Sequence, residues 1–162
     1  MNSAVSKLIS LFSTLSQELA VDETCSDIIT RSMSTRLRTP TEVFKEKKAS
    51  SHDMTFCLLS KLSSEFECTP IFIEVIESDF SQRRACLMTH SLIIVHIASK
   101  YYYIEWNWLN VMRGVNGPFD SMYELFAFIR RTYEASLIWK YARNDLVLTL
   151  RPFVFKPGMN IE

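Results

Sequence analysis

The chain has 162 residues, enough for one domain with a single sizeable core, and its apolar and charged fractions, 48% and 22%, are those of an ordinary globular protein. Eighteen Lys and Arg balance eighteen Asp and Glu, which leaves no overall field to draw in nucleic acid or an anionic membrane. No apolar run approaches the roughly 20 residues that cross a bilayer, so no membrane span is expected. The locally basic stretch from Thr30 to Lys48 also carries Glu42 and Glu46 and reads as a solvated surface.

Val5, Leu8, Ile9, Phe12, Leu15 and Leu19 recur at helical spacing and are interrupted by Ser10, Ser13, Thr14 and Ser16. They predict an amphipathic helix over 3–20 packed on the domain, in place of a signal peptide. Lys7 alone is too little positive charge for a helix lying on a membrane. A second helix is expected over 22–33, with Asp22 as its N-cap and Cys25, Ile28 and Ile29 inward. Ser32 to Arg38 reads as a connection. Thr39-Pro40-Thr41-Glu42 is a helix start, with Thr as N-cap, Pro at the first helical position and Glu completing a capping box; this helix ends near Lys48. After the small polar residues Ala49 to Ser51, another helix runs to about Phe66 with Met54, Leu58, Leu59 and Leu62 on its apolar face.

Pro70 is expected to end a turn, and the β-branched run from Ile71 to Ile76 to form a strand. Glu77 to Arg84 is polar and loop-like. Leu87 to Ile97 predicts a long strand, central in its sheet because it is apolar almost throughout from Leu92. Tyr101 to Trp108 predicts its hairpin partner. Gly114 to Pro118 reads as a turn. Asp120 then caps a long helix to about Tyr141, with Tyr123, Leu125, Phe126, Ile129, Tyr133, Leu137 and Ile138 inward. Leu146 to Leu150 is a last strand, and Pro152 marks it as an edge. The fold class is therefore α+β: N-terminal helices and a helix bearing the candidate site, packed on a mostly antiparallel sheet. A single domain over 1–162 is expected, with an N-terminal helical segment over 1–38 and a core over 39–130.

The four cysteines, at 25, 57, 68 and 86, include no C-x-x-C pair and no zinc-knuckle spacing. Cys57 and Cys86 fall in apolar runs, where a thiol acts as a small hydrophobe. A reducing, cytoplasmic setting is the expectation, with export by a route that needs no classical signal peptide left open. Three histidines and scattered acids supply no metal set.

Two stretches carry potential chemistry. Ala49-Ser50-Ser51-His52-Asp53 opens a helix. Thr89-His90-Ser91 lies on a strand, and Glu105 follows in Tyr103-Ile104-Glu105-Trp106-Asn107-Trp108. A nucleophile at a helix N-terminus meets the positive end of the dipole and unpaired N–H groups, which favour a thiolate and can hold an oxyanion. A histidine on a neighbouring strand can take and return its proton, and a carboxylate on the next strand can fix the imidazole's tautomer. Hairpin loops of two or four residues around Ala98 to Lys100 put His90 and Glu105 on one face, whereas three do not; two-residue turns there leave the pair diagonal or farther apart, so the contact is permitted and not required.

In order and content these elements resemble the transglutaminase-like superfamily of papain-like cysteine enzymes, in small bacterial or phage forms. The helix-start motif stands here as Ala49-x-Ser51-x-Asp53, where those members carry Gly-x-Cys-x-Asp. The Thr-His-Ser strand at 89–91 and Tyr101-Tyr102-x-x-Glu105-x-x-Trp108 match the second half. The resemblance covers roughly residues 39–130. It implies a thiol enzyme with a catalytic triad, here Ser51, His90 and Glu105. It also implies acyl transfer through a thioester on a protein carboxamide or peptide bond: glutamine deamidase, transglutaminase or peptidase. His52, Trp106 and Trp108 would line the substrate cleft. The partner implied is a protein or peptide substrate, and no cofactor is needed.

Ala49 replaces the usual glycine and Ser51 the nucleophilic cysteine. Three accounts of Ser51 compete: a substitution made to silence the enzyme, a natural pseudoenzyme, and a working serine variant. A catalytically silent domain that binds a protein partner is the alternative reading. Plainer roles also stand beside the catalytic ones: Ser51 as an N-cap, His90 as a core histidine, Glu105 as a strand carboxylate, and Trp106 and Trp108 as packing. His96 shares the parity of His90 and is expected to be structural. Cys57, two turns into the helix, and Cys25, among acidic neighbours that would raise its pKa, are weaker nucleophile candidates.

Overall fold

The computed structural model describes residues 3–22, 35–77, 86–108, 110–156 and 158–161, the side chains of 35, 77, 86 and 87 excepted. In chain order its elements are α1 (Ser3–Glu18), β1 (Ala20–Val21), β2 (Thr35–Arg36), α2 (Pro40–Glu46), β3 (Lys48–Ala49), α3 (Ser51–Leu62), β4 (Glu67–Glu77), β5 (Cys86–Ile97), β6 (Lys100–Glu105), β7 (Gly114–Phe119), α4 (Met122–Tyr141), β8 (Leu146–Pro152) and β9 (Asn160–Ile161). The fold is α+β, built on a five-stranded sheet in the order β7-β6-β5-β4-β8 with every neighbouring pair antiparallel.

A strand as apolar as Leu92 to Ile97 must be covered on both faces, and β5 is the middle strand. Its Ile93, Val95 and Ile97 join Leu8, Phe12 and Leu15 of α1 and Met54, Cys57, Leu58 and Leu62 of α3 in one core. Its Leu92 and Ile94 join Ile71, Ile73 and Val75 of β4 and Leu125, Ile129, Tyr133 and Leu137 of α4 in a second. The sheet thus separates an α3 face from an α4 face. Period-2 alternation assigns each strand residue to one or the other. Among the described residues, no helix is long and apolar enough to cross a membrane.

Several boundaries differ from the sequence expectation, each for a physical reason. Pro70 lies inside β4, paired with Ile93. Pairing with β8 begins only at Ile71, so Pro70's missing N–H is not needed on that side. Gly114 to Pro118 is not a turn but most of β7, an edge strand; a Cβ on Gly117 would stand 2.8 Å from the Tyr101 carbonyl, so glycine there permits a close approach of two backbones. α3 ends at Leu62, not Phe66, and β6 ends at Glu105, not Trp108. Ser121, not Asp120, caps α4, its hydroxyl accepting the Glu124 N–H. Tyr123 and Ile138, expected inward on α4, are exposed. The short strands β1, β2, β3 and β9 carry no sequence signal of their own. Of the helix expected over 22–33 only Asp22 is among the described residues, its N–H donating to the Ala49 carbonyl; the rest, and most of the loop over 77–84, lie outside them.

Candidate functional site

The site begins where α2 stops. Lys47 takes the left-handed conformation at the end of α2, and the chain turns into α3. Ser50 is the N-cap: its hydroxyl accepts the Asp53 N–H (3.2 Å), and Asp53 Oδ2 accepts the Ser50 N–H (3.1 Å). The capping box thus closes one residue earlier than a Ser51 cap would require. Ser51 is the first helical residue, and its hydroxyl is released from capping.

Asp53 is almost wholly buried and needs a counter-charge. Arg38 supplies it: its N–H donates to Oδ1 (3.0 Å), and its Nε (3.0 Å) and Nη2 (2.6 Å) donate to Oδ2. Nη2 also reaches Asp22 (2.9 Å), and Nη1 reaches Glu46. Burial opposes the Arg38 charge, but the bonds to Asp53, Glu46 and Asp22 prevail and hold the guanidinium above its ordinary range.

The hairpin that carries the second half turns through two residues, Ala98 and Ser99, both with positive φ, and pairs Ile97 with Lys100. In this register His90 and Glu105 are diagonal and both lie on the α4 face. His90 Nε2 stands 3.0 and 3.2 Å from the two carboxylate oxygens of Glu105. The carboxylate is completely buried and saturated with donors. Oε1 accepts the N–H groups of Asn107 and Trp108 (both 3.0 Å), and Oε2 also accepts the Tyr133 hydroxyl of α4. Folding the chain back over Glu105 is what takes residues 106–108 out of the strand. Burial alone would raise Glu105; the neighbouring His90 and these donors outweigh it and hold the carboxyl below its ordinary value. Trp108 packs edge-on against the His90 ring (5.0 Å, 81°), and its Nε1 donates to Ser136 of α4.

Ser51 meets the same strand one residue on. Its hydroxyl accepts the Ser91 N–H at 3.4 Å. Pairing between β5 and β6 stops at Ile93–Ile104, so the β5 backbone is open there and the helix start fills the gap. Ser51, His90 and Glu105 are all buried. Among the described residues, no hydrogen bond joins Ser51 to His90, and none reaches His90 Nδ1, the ring nitrogen Glu105 leaves unused.

Two residues expected to line a cleft are interior. His52 is buried on the α3 face, stacked on Phe72 (5.5 Å), with Nδ1 on the Ser91 hydroxyl (2.8 Å) and Nε2 on the Thr89 hydroxyl (3.1 Å). Burial, then the nearby His90, pushes it down to about 3. Trp106 is buried too, and its Nε1 donates to the Ala49 carbonyl (2.9 Å), fixing the approach to α3. Trp108 is half-buried. His96 sits at the far end of the hairpin, stacked on Tyr101 and paired with Glu67. Burial pushes the thiols of Cys57 and Cys68 up to about 11, the opposite of an activated cysteine. Cys25 lies outside the described residues, as does the side chain of Cys86.

Sequence reading missed Arg38 and Tyr133 as parts of this assembly and gave Ser91 no role beyond its place in the Thr89-His90-Ser91 motif. Tyr133 carried a signal: a phenol on the apolar stripe of α4 needs a buried polar partner. Arg38, directly before the Thr39 cap, carried none. Among the described residues, no three His, Cys, Asp or Glu gather as a metal site. Comparison with known proteins finds no protein family whose profile matches the chain and no curated relative that matches it.

Proposed function

We propose that this chain is a transglutaminase-like acyl-transfer scaffold, with Ser51 at the nucleophile position, His90 as base and Glu105 as its orienter. The observation that carries the reading is the His90–Glu105 pair: a buried carboxylate, saturated by fixed donors, holding one ring nitrogen. That bond assigns the neutral ring's proton to Nε2 and leaves the Nδ1 lone pair available.

In the reaction, Nδ1 accepts the proton of the nucleophile, whose oxygen or sulfur bonds to the carbonyl carbon of a carboxamide or peptide. The carbonyl π electrons move to oxygen, where free N–H groups of the α3 start stabilise them. Collapse breaks the C–N bond, and Nδ1 returns its proton to the leaving ammonia or amine. Water or a second amine then releases the acyl group, giving hydrolysis, deamidation or transamidation. With serine the intermediate is an ester; with cysteine, a thioester. A hydroxyl is far less ionised than a thiol near neutral pH and depends more on the base.

A catalytically silent domain that binds a protein partner is favoured by one observation: the Ser51 hydroxyl is bonded to the β5 backbone and not to His90.

Labelling separates the readings. A fluorophosphonate probe should modify Ser51 if the serine is competent. Ser51→Cys should be alkylated by iodoacetamide near pH 7 faster than Cys57 or Cys68. Adding His90→Ala should slow that reaction, and Glu105→Gln should slow it less. A thiol at 51 that reacts like any exposed cysteine, indifferent to His90, would overturn the catalytic reading and leave the binding domain.

A further inference from the structure

We infer that Tyr133 is a positioning residue for the His90–Glu105 pair, and that through its hydroxyl α4 sets the basicity of the site. This inference rests on the functional reading above.

Glu105 has donors of three kinds. The N–H groups of Asn107 and Trp108 are backbone and fixed by the chain's path. His90 Nε2 is the bond the chemistry uses. Tyr133 is different: it comes from a helix that contributes no member of the candidate triad, and it shares Oε2 with His90. A carboxylate oxygen divided between two donors attracts each less than it would attract either alone. The Tyr133 hydroxyl therefore competes with the imidazole for the Glu105 charge and restrains how strongly that charge stabilises an imidazolium. Burial, then the Glu105 charge, pushes the phenol well above its ordinary range, so it remains a donor at any working pH.

Among the described residues, Glu105 of β6, Tyr133 of α4 and the Trp108 indole lie against His90, and Tyr103 of β6 lies beyond, beside Tyr133 and Glu105. His52 of α3, on the opposite face of the sheet, is near enough to feel its charge. Tyr133 is itself braced. Trp108 packs on its ring at 5.0 Å and bonds Ser136, whose hydroxyl donates to the Tyr133 carbonyl.

The test follows the ring-proton NMR signals of the three histidines against pH, with His90 assigned through His90→Ala. In Tyr133→Phe the midpoint of the His90 titration should rise by about half a unit or more, roughly a threefold gain in the protonated form. Ile129→Val loosens the same stripe of α4 without touching Glu105 and should leave the midpoint in place. An unchanged or lowered midpoint in Tyr133→Phe overturns the inference, as does an equal rise in Ile129→Val. Should Tyr133→Phe not fold, 3-fluorotyrosine at 133 strengthens the donor and should move the midpoint down; no movement overturns the inference. The readout is independent of Ser51. A moving midpoint beside an inert Ser51→Cys thiol sinks the acyl-transfer reading and keeps the coupling; a reactive thiol beside a fixed midpoint does the reverse.

Discussion

The α3 face and the α4 face of the sheet each bury one histidine, and they treat it differently. On the α3 face, His52 lies among the hydroxyls of Ser91 and Thr89 and against the ring of Phe72, with both nitrogens engaged. On the α4 face, His90 has a carboxylate on Nε2. Hydroxyls satisfy an imidazole without stabilising its charge, so burial pushes His52 down to about 3 and leaves it a neutral strut. A buried carboxylate does stabilise an imidazolium. What makes a buried histidine useful for proton transfer is thus its partner and its spare nitrogen, and burial alone works against it.

The largest expected effect probes the neutral side. His52 is pushed from 6.5 to about 3, so below pH 6.5 the unfolded chain takes up a proton that the folded chain refuses. Its contribution is fully present above 6.5 and is lost as pH falls toward about 3, at roughly 1.4 kcal/mol per pH unit. Denaturant unfolding at a series of pH values should show that slope, and His52→Gln should flatten it. An unaltered slope in the variant would mean that His52 is not held neutral.

Next in size is the charge cluster behind the start of α3. Arg38→Met leaves Asp53 buried without its cation and should cost about 3 kcal/mol or more. Adding Asp53→Asn should restore a good part of that. Urea unfolding of the single and double variants measures both, and equal stabilities would show the pair to be unimportant.

The smallest effect sharpens the contrast between faces. Thr89→Val keeps the shape but removes the hydroxyl at His52 Nε2, and should cost about 1 kcal/mol. It should leave alkylation of a Ser51→Cys thiol unchanged. A change in alkylation would join the two histidines into one network.

Period-2 patterns and loop length made the four inner and C-terminal strands of the sheet legible, and they permitted the His90–Glu105 contact without requiring it. Alternation allowed a shared face for loops of two or four residues; the turn at Ala98 and Ser99 is what selects the diagonal register. The Thr39–Glu42 capping box is legible in the sequence; the second is not, since the sequence points to Ser51 as the possible cap where Ser50, three residues before Asp53, holds that place. What stayed hidden depends on contacts between distant segments. Nothing near Arg38 foretells Asp53, and nothing near Tyr133 foretells Glu105. The strand character of Gly114 to Pro118 was masked by glycine and proline, which an edge strand tolerates and a turn requires. His52 looked like a cleft residue because it adjoins Ser51, but neighbours on a helix point about 100° apart.

Glu105 and Trp106 are consecutive, and where β6 ends they point to opposite faces. The first holds His90; the second holds the carbonyl of Ala49, two residues before Ser51. A single peptide bond therefore gauges the distance between the helix start and the imidazole. Loops around the site can lengthen, shorten or drift without resetting that gauge, because no loop lies between its two jaws.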